Sequence, residues 1–214
     1  MRQFSSRGFI TLVMVAYCIL AAIFFVQYYC WNNIFHLTLA LPTLFATTLV
    51  AMRRRHGGWF IPLAFGFSTL GDYAGAIDNF LVQISMFAVA HIFFIADFWP
   101  YRSNTKGRAI AVGVLVCIVL ACLCYIVPMV AIPSFRYAIL IYAILITLMC
   151  STAIRQTREH RGWYIVAALL FVFSDSVIAY SMVSNCKDAT LLIMPTYYAA
   201  QAIFTVLYML RKRA

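Results

Sequence analysis

Negative charge is nearly missing from this chain. Its 214 residues include only six aspartates and glutamates, and all charged residues together make up 10%. A soluble domain carries roughly 25% charged residues. Here 65% of the residues are hydrophobic and the mean hydropathy is +0.92, more apolar surface than a water-soluble fold of this length could bury. That excludes a soluble domain and makes lipid the solvent for most side chains. The loops of common soluble catalysts are also absent: no Walker loop, no Gly-x-Ser-x-Gly elbow, no His-Glu-x-x-His. Four histidines are spread along the chain, and a His-rich zinc site is not expected. The seven cysteines have no zinc-finger spacing. No metal and no cofactor is expected. Cys18, Cys117, Cys122, Cys124 and Cys150 fall inside apolar runs and are expected as small buried hydrophobes. Cys30 and Cys186 lie near the expected outer ends of helices; a bridge between them is geometrically open, though nothing in the spacing calls for it.

What is present is a series of long apolar runs. A membrane-crossing helix needs ~20 mainly apolar residues. The runs place helices at 9–30, 34–52, 58–77, 80–98, 108–127, 135–154, 162–183 and 190–210. The first run is too long, and too bulky at Gln27-Tyr28-Tyr29-Cys30-Trp31, for a signal peptide, so it reads as a retained helix. Pro62 falls in a first helical turn, where it costs little, and Pro195 falls early in the last helix. Pro128 and Pro133 bracket the loop after helix 5, and Pro42 is expected to kink helix 2. The expected fold is all-α, a polytopic membrane bundle of eight transmembrane helices, with residues 1–214 as one transmembrane domain.

The net charge of +10 does not point to nucleic acid, because the basic residues sit in short clusters between apolar runs. Alternate connections, with the two termini, hold 14 of the 16 lysines and arginines; the other connections hold only Arg136 and Lys187. Short Lys- and Arg-rich loops stay in the cytoplasm, so both termini are expected inside. Trp31, Trp59, Trp99 and Trp163 fall near helix ends, as interfacial aromatics do. His56-Gly57-Gly58-Trp59-Phe60-Ile61 resembles His160-Arg161-Gly162-Trp163-Tyr164-Ile165. The spacing corresponds to four helices, which suggests a weak 4+4 parallel repeat; two similar interfacial anchors explain it equally well.

Among the acids, Asp78, Glu159 and Asp188 fall in loops and are expected in water. Asp97 lies at the inner end of helix 4, in reach of the adjacent basic loop. Asp72 and Asp175 lie well inside helices 3 and 7, each roughly 20 Å from the inner end at ~1.5 Å per residue. A charged residue there costs at least ~2.5–3.5 kcal/mol on insertion scales, so both must face the bundle interior. Two such carboxyls suit general acid and base work; helix-packing hydrogen bonds are the plainer reading. Ser68, Gly71, Asp72 and Gly75 share one face of helix 3, where small residues allow close approach. Ser174 and Ser176 flank Asp175 and can donate hydrogen bonds. His91 lies mid-membrane in helix 4, whereas His36 is near an outer surface and His56 and His160 are at the inner one. Tyr197, Tyr198 and Gln201 give helix 8 a polar face, with Tyr198 and Gln201 on one side, either to position a head group or to bond helix 7.

Three stretches carry a family resemblance: Ser68-Thr69-Leu70-Gly71-Asp72; Phe87-Ala88-Val89-Ala90-His91-Ile92; and Ala168 through Asp175 followed by Tyr197-Tyr198-Ala199-Ala200-Gln201. In their order and spacing the chain resembles the YhhN family of membrane proteins, whose characterised members are lysoplasmalogenases. One feature departs from that pattern: the family often has a Lys beside a Pro in the second helix, and here Leu41 precedes Pro42. The resemblance implies hydrolysis of the vinyl ether bond of a lysoplasmalogen, an alkenyl-glycerophosphocholine or -ethanolamine, to a fatty aldehyde and a glycerophospho-alcohol. On that reading Asp72 and Asp175 are the acid–base pair, as in two-carboxylate glycoside cleavage. His91 orients one of them or relays a proton, and Ser68, Gly71, Ser174, Tyr197, Tyr198 and Gln201 bind substrate. On the same reading the partner is a lysophospholipid entering sideways from the bilayer; the compactness of the chain suggests the cytoplasmic membrane of a bacterium.

Two other classes compete. A small transporter or lipid carrier would also have two related halves with polar residues at mid-depth, but Pro42 has no proline counterpart in helix 6, where transporter sites often repeat a helix break. A structural membrane protein would use its aspartates only to tie helices together.

Overall fold

The computed structural model describes residues 6–31, 36–54, 58–184 and 188–211. Among them eight α-helices follow one another without a strand: α1 (Ser6–Val26), α2 (His36–Met52), α3 (Phe60–Ala76), α4 (Phe80–Phe98), α5 (Lys106–Met129), α6 (Pro133–Ile154), α7 (Arg161–Ser181) and α8 (Ala189–Met209). Helix α1 continues into one wider turn, Gln27–Trp31. Six helices are long and apolar enough to cross a membrane; α2 and α3, at 17 residues each, are shorter.

Local sequence explains the ends. Asn79 caps α4 by accepting from the Val82 amide, and Thr105 caps α5 by accepting from Arg108. Pro133 occupies the start of α6, where its missing N–H is harmless. The tight α3–α4 connection places Asp78 in the left-handed region (φ 57°), which aspartate tolerates better than most residues. Pro128, expected in the loop after helix 5, instead lies inside the last turn of α5.

Six helices close into a ring: α2 packs on α3, α3 on α4, α4 on α6, α6 on α7, α7 on α8, and α8 returns to α2. Helix α1 lies outside the ring against α2, and α5 lies outside it against α6. The polarity is inverted relative to a soluble protein. Outward faces are apolar, as at Ile110, Val114 and Ile118 of α5, while Thr43, Asp72, His91, Ser174 and Gln201 are buried. Cysteine follows the same rule: Cys18, Cys117 and Cys124 face outward, Cys122 is half-buried and Cys150 alone of the five is fully buried, so the expectation of five buried thiols is corrected. Apolar neighbours in sequence do not imply burial here, because in lipid an outward face is just as apolar. Of the suggested Cys30–Cys186 bridge, Cys30 is exposed and Cys186 lies outside the described residues, as do the side chain of His36 and all of His56.

The two ends of the ring differ. At one end the α2 C-terminus, the α4–α5 and α6–α7 connections and the α8 C-terminus meet: Arg53 donates to the Met209 carbonyl (2.8 Å), and Ser103 N donates to the Arg155 carbonyl (2.9 Å). Arginines also lie over rings here, Arg102 on Trp99 and Arg158 on Tyr101, at 3.3 and 3.8 Å from the ring centroids. Asp97 is buried at this end. Its partners are not the adjacent loop but Arg158, before α7, and Arg211, after α8. The opposite end carries Asp78 and Asp188, both exposed.

Candidate active site

Within the ring the polar residues form two linked groups. The first surrounds Asp72 of α3, which is 2% exposed. The Tyr197 hydroxyl of α8 donates to Asp72 Oδ2 at 2.9 Å. Thr43 of α2, next to Pro42, stands beside the same carboxyl, and its hydroxyl lies 3.4 Å from the Tyr197 hydroxyl. Gln201, one turn beyond Tyr197, donates Nε2 to that hydroxyl at 3.1 Å.

The second surrounds Asp175 of α7, whose side chain is 9% exposed. Its Oδ2 accepts a short hydrogen bond from the Tyr142 hydroxyl of α6. Its Oδ1 accepts from Ser174 Oγ at 3.0 Å. His91 Nε2 of α4 lies 2.8 Å from the Tyr142 hydroxyl and 4.0 Å from Asp175 Oδ2. Tyr142 has one hydroxyl proton and gives it to Asp175, so it accepts from His91. Nε2 therefore donates to Tyr142, and Nδ1 is buried with no hydrogen-bond partner.

The two groups share a plan. Each carboxylate is met by a hydroxyl from the preceding ring helix (Thr43 of α2, Tyr142 of α6) and by a polar residue across the ring (Tyr197 of α8, His91 of α4). Phe171 stands against both, its ring centroid 5.0 Å from His91 and 5.4 Å from Tyr197. No lysine or arginine contacts either carboxylate among the described residues.

Asp72 and Asp175 both line one cavity of about 580 Å³. Tyr28, Asp78 and Thr190 also line it, so it reaches toward the arginine-poor end. Phe87 and Gln83 of α4 form part of its wall, and the glycines of α3 make room for them. A Cβ on Gly71 would meet the Phe87 ring at 2.9 Å, and one on Gly75 would meet the Gln83 amide at 2.5 Å.

The residues singled out in sequence thus divide. Asp72, Asp175 and Tyr197 line the cavity; His91, Ser174 and Gln201 stand behind them. Ser68 is fully buried with its hydroxyl unpaired and does not line the cavity. Gly71 receives Phe87. Tyr198, expected beside Gln201, turns the other way: its hydroxyl donates to the Leu39 carbonyl at 2.7 Å, and its ring packs against Tyr17 and Phe24. The partner of Gln201 is Tyr197, four residues earlier, because i and i+4 stack on one helix face. Tyr142 and Thr43 were missed. The available signal for Tyr142 was its depth: it lies 12 residues before Ile154, as Asp72 lies 12 residues after Phe60, both about 18 Å from the arginine-rich end. No group of three or more His, Cys, Asp or Glu side chains able to hold a metal occurs among the described residues.

Apolar outward faces and two uncompensated carboxylates lining an internal cavity define an integral membrane protein with a polar centre inside a helix ring. The YhhN family profile matches residues 31–207, and the chain belongs to the YhhN family. It is 29% identical over 153 residues to lysoplasmalogenase TMEM86B of Rattus norvegicus, a match that covers 69% of this chain and 60% of that protein. The chain therefore spans less than two thirds of that relative. No solved structure matches it.

Proposed function

We propose that this protein is a membrane-embedded hydrolase that cleaves the vinyl ether bond of lysoplasmalogens. The observation that carries the reading is the placement of Asp72 and Asp175 on one cavity with hydroxyl partners and no neutralising cation. The relationship to a lysoplasmalogenase supports the substrate class.

The chemistry needs one carboxylic acid and one carboxylate. Protonation of the alkene carbon remote from the ether oxygen turns R–CH=CH–O–R′ into an oxocarbenium ion. Water adds to the cationic carbon and loses a proton, and the hemiacetal collapses to R–CH2–CHO and HO–R′. The net consumption is one water. Asp175 accepts hydrogen bonds from Tyr142 and Ser174, an arrangement suited to the carboxylate that faces the cation and takes the proton of water. Asp72 is then the proton donor, oriented by Tyr197, which Gln201 fixes in turn. His91 holds Tyr142 on Asp175. Asp78 in the cavity wall fits the cationic amine of an ethanolamine or choline head group.

The arginine-rich end faces the cytoplasm on this reading, so all eight helices cross, both termini are inside, and the cavity reaches toward the far side. The matching surroundings of Asp72 and Asp175 fit a 4+4 parallel repeat, with α1–α4 equivalent to α5–α8. Aldehyde release by the purified protein from alkenyl-glycerophosphoethanolamine tests the function. Activity lost in both Asp72→Asn and Asp175→Asn is the expected result. A folded wild type that releases no aldehyde from ethanolamine or choline lysoplasmalogens overturns it.

A further inference from the structure

A second, smaller cavity lies beneath α5, outside the helix ring, between α5 and the helices α4, α6 and α7. It measures about 80 Å³, and its walls are mainly aliphatic, including Ile84, Leu123, Ile139, Ala143 and Ala179. Two features tie it to the candidate active site. Gln83, Phe87, Asp175 and Ile178 line both this niche and the larger polar cavity, so the two spaces meet at one carboxylate. Tyr142, the hydroxyl that bonds Asp175, also faces the niche. The remaining side is loosely closed: Cys122, Leu123 and Ala179 are only half-buried, and α5 is held to the ring chiefly through α6.

We infer that the niche is the binding site for the start of the hydrocarbon chain of a single-chain lysolipid whose polar part occupies the larger cavity. This rests on the function proposed above and adds where the chain lies and how it enters. The argument is one of chemical matching. A lysoplasmalogen changes from polar to apolar at its vinyl ether, and the two cavities change from polar to apolar at Asp175. Placing glycerol and head group in the 580 Å³ space and the chain under α5 sets the reacting carbons beside that carboxylate. The niche holds only the first few methylenes, and the rest of the chain runs out past α5 into the bilayer. Lipid tails are as apolar as the niche, so the chain gains little affinity there. What it gains is register, and a reacting centre displaced by about 1 Å loses roughly 100-fold in rate.

The test has two arms. In the first, Ala179→Phe and Ala143→Phe fill the niche, and kcat/KM is measured on hexadecenyl and ethenyl glycerophosphoethanolamine, the second of which has no methylenes to place there. The long-to-short ratio should fall at least about tenfold; an unchanged ratio in variants that still turn over overturns the proposal. In the second, wild-type protein in vesicles is irradiated with a saturated, non-hydrolysable alkyl lysophospholipid carrying a diazirine near the ether. Labelling should fall on the niche residues of α5 and α6 and be competed by unlabelled lysophospholipid. Labelling confined to outward faces such as Ile110 and Ile118, without competition, overturns it. The second arm needs no turnover: competed niche labelling without aldehyde release means that the hydrolase reading fails and the chain site stands. Aldehyde release with an unchanged chain-length ratio means the reverse.

Discussion

Three aspartates lie inside the helices, and comparing Asp97 with Asp72 and Asp175 shows how partners rather than burial decide what an acid is free to do. Asp97 is 5% exposed and Asp72 2%, so the two are alike in access to solvent. Around Asp97, Arg158 from the α6–α7 connection and Arg211 from beyond the end of α8 converge at 2.6–2.8 Å, and Arg158 also donates to the Asp97 carbonyl. Burial opposes the charge on Arg211, but the hydrogen bonds and charge of Asp97 outweigh it and hold its pKa above the ordinary arginine value. Both carboxylate oxygens are engaged by guanidinium groups, which neutralise the charge and hold it in place. The result is an ionic latch fastening α4, the start of α7 and the end of α8. Around Asp72 and Asp175 the partners are hydroxyls, and both carboxyls line a cavity. Hydroxyls orient a carboxyl without neutralising it, which leaves it able to exchange a proton with something that enters.

That contrast can be broken most sharply by isosteric amides. Asp72→Asn and Asp175→Asn should each lower aldehyde release by about 10²–10⁴-fold, the usual contribution of a general acid or base, with little loss of thermal stability. Asp97→Asn should do the opposite. It strips a buried ion-pair network of its anion and should cost about 3–5 kcal/mol in a detergent unfolding assay, while activity per folded molecule persists. If Asp97→Asn abolished turnover in folded protein, the division between latch and site would be wrong.

Smaller changes refine it. Tyr142→Phe removes the donor to Asp175 and unseats His91; about 1.5 kcal/mol, or roughly tenfold in kcat, is expected, seen as a change in kcat more than in KM. Gly71→Ala drives a methyl into the Phe87 ring and should destabilise the fold by about 1 kcal/mol, measured by thermal melting. The adjacent tyrosines of α8 offer the finest contrast. Tyr197→Phe should reduce turnover, whereas Tyr198→Phe should cost only its hydrogen bond to Leu39, about 1 kcal/mol of stability. Equal kinetic effects of the two would remove the distinction drawn between the faces of α8.

The sequence by itself determined the solvent, the helices and the depth of the candidate site residues. Hydropathy fixes where a chain enters lipid, because each helix needs a set apolar length, and seven of the eight expected segments lie within two residues of the observed helices at each end. Counting along a helix at a constant rise then gives depth, and depth marks Asp72, Asp175 and His91 as candidates. Rotation about the helix axes and the order of helices around the ring were decided only by tertiary packing. They select Tyr197 over Tyr198, bring Tyr142 from an otherwise apolar stretch of α6 onto Asp175, and give Asp97 its partners from residues 61 and 114 positions away. In lipid the outward face of a helix is as apolar as its packed face, so hydrophobic periodicity, the signal that orients helices in water, carries little information here. Depth was legible for that reason, and direction was not.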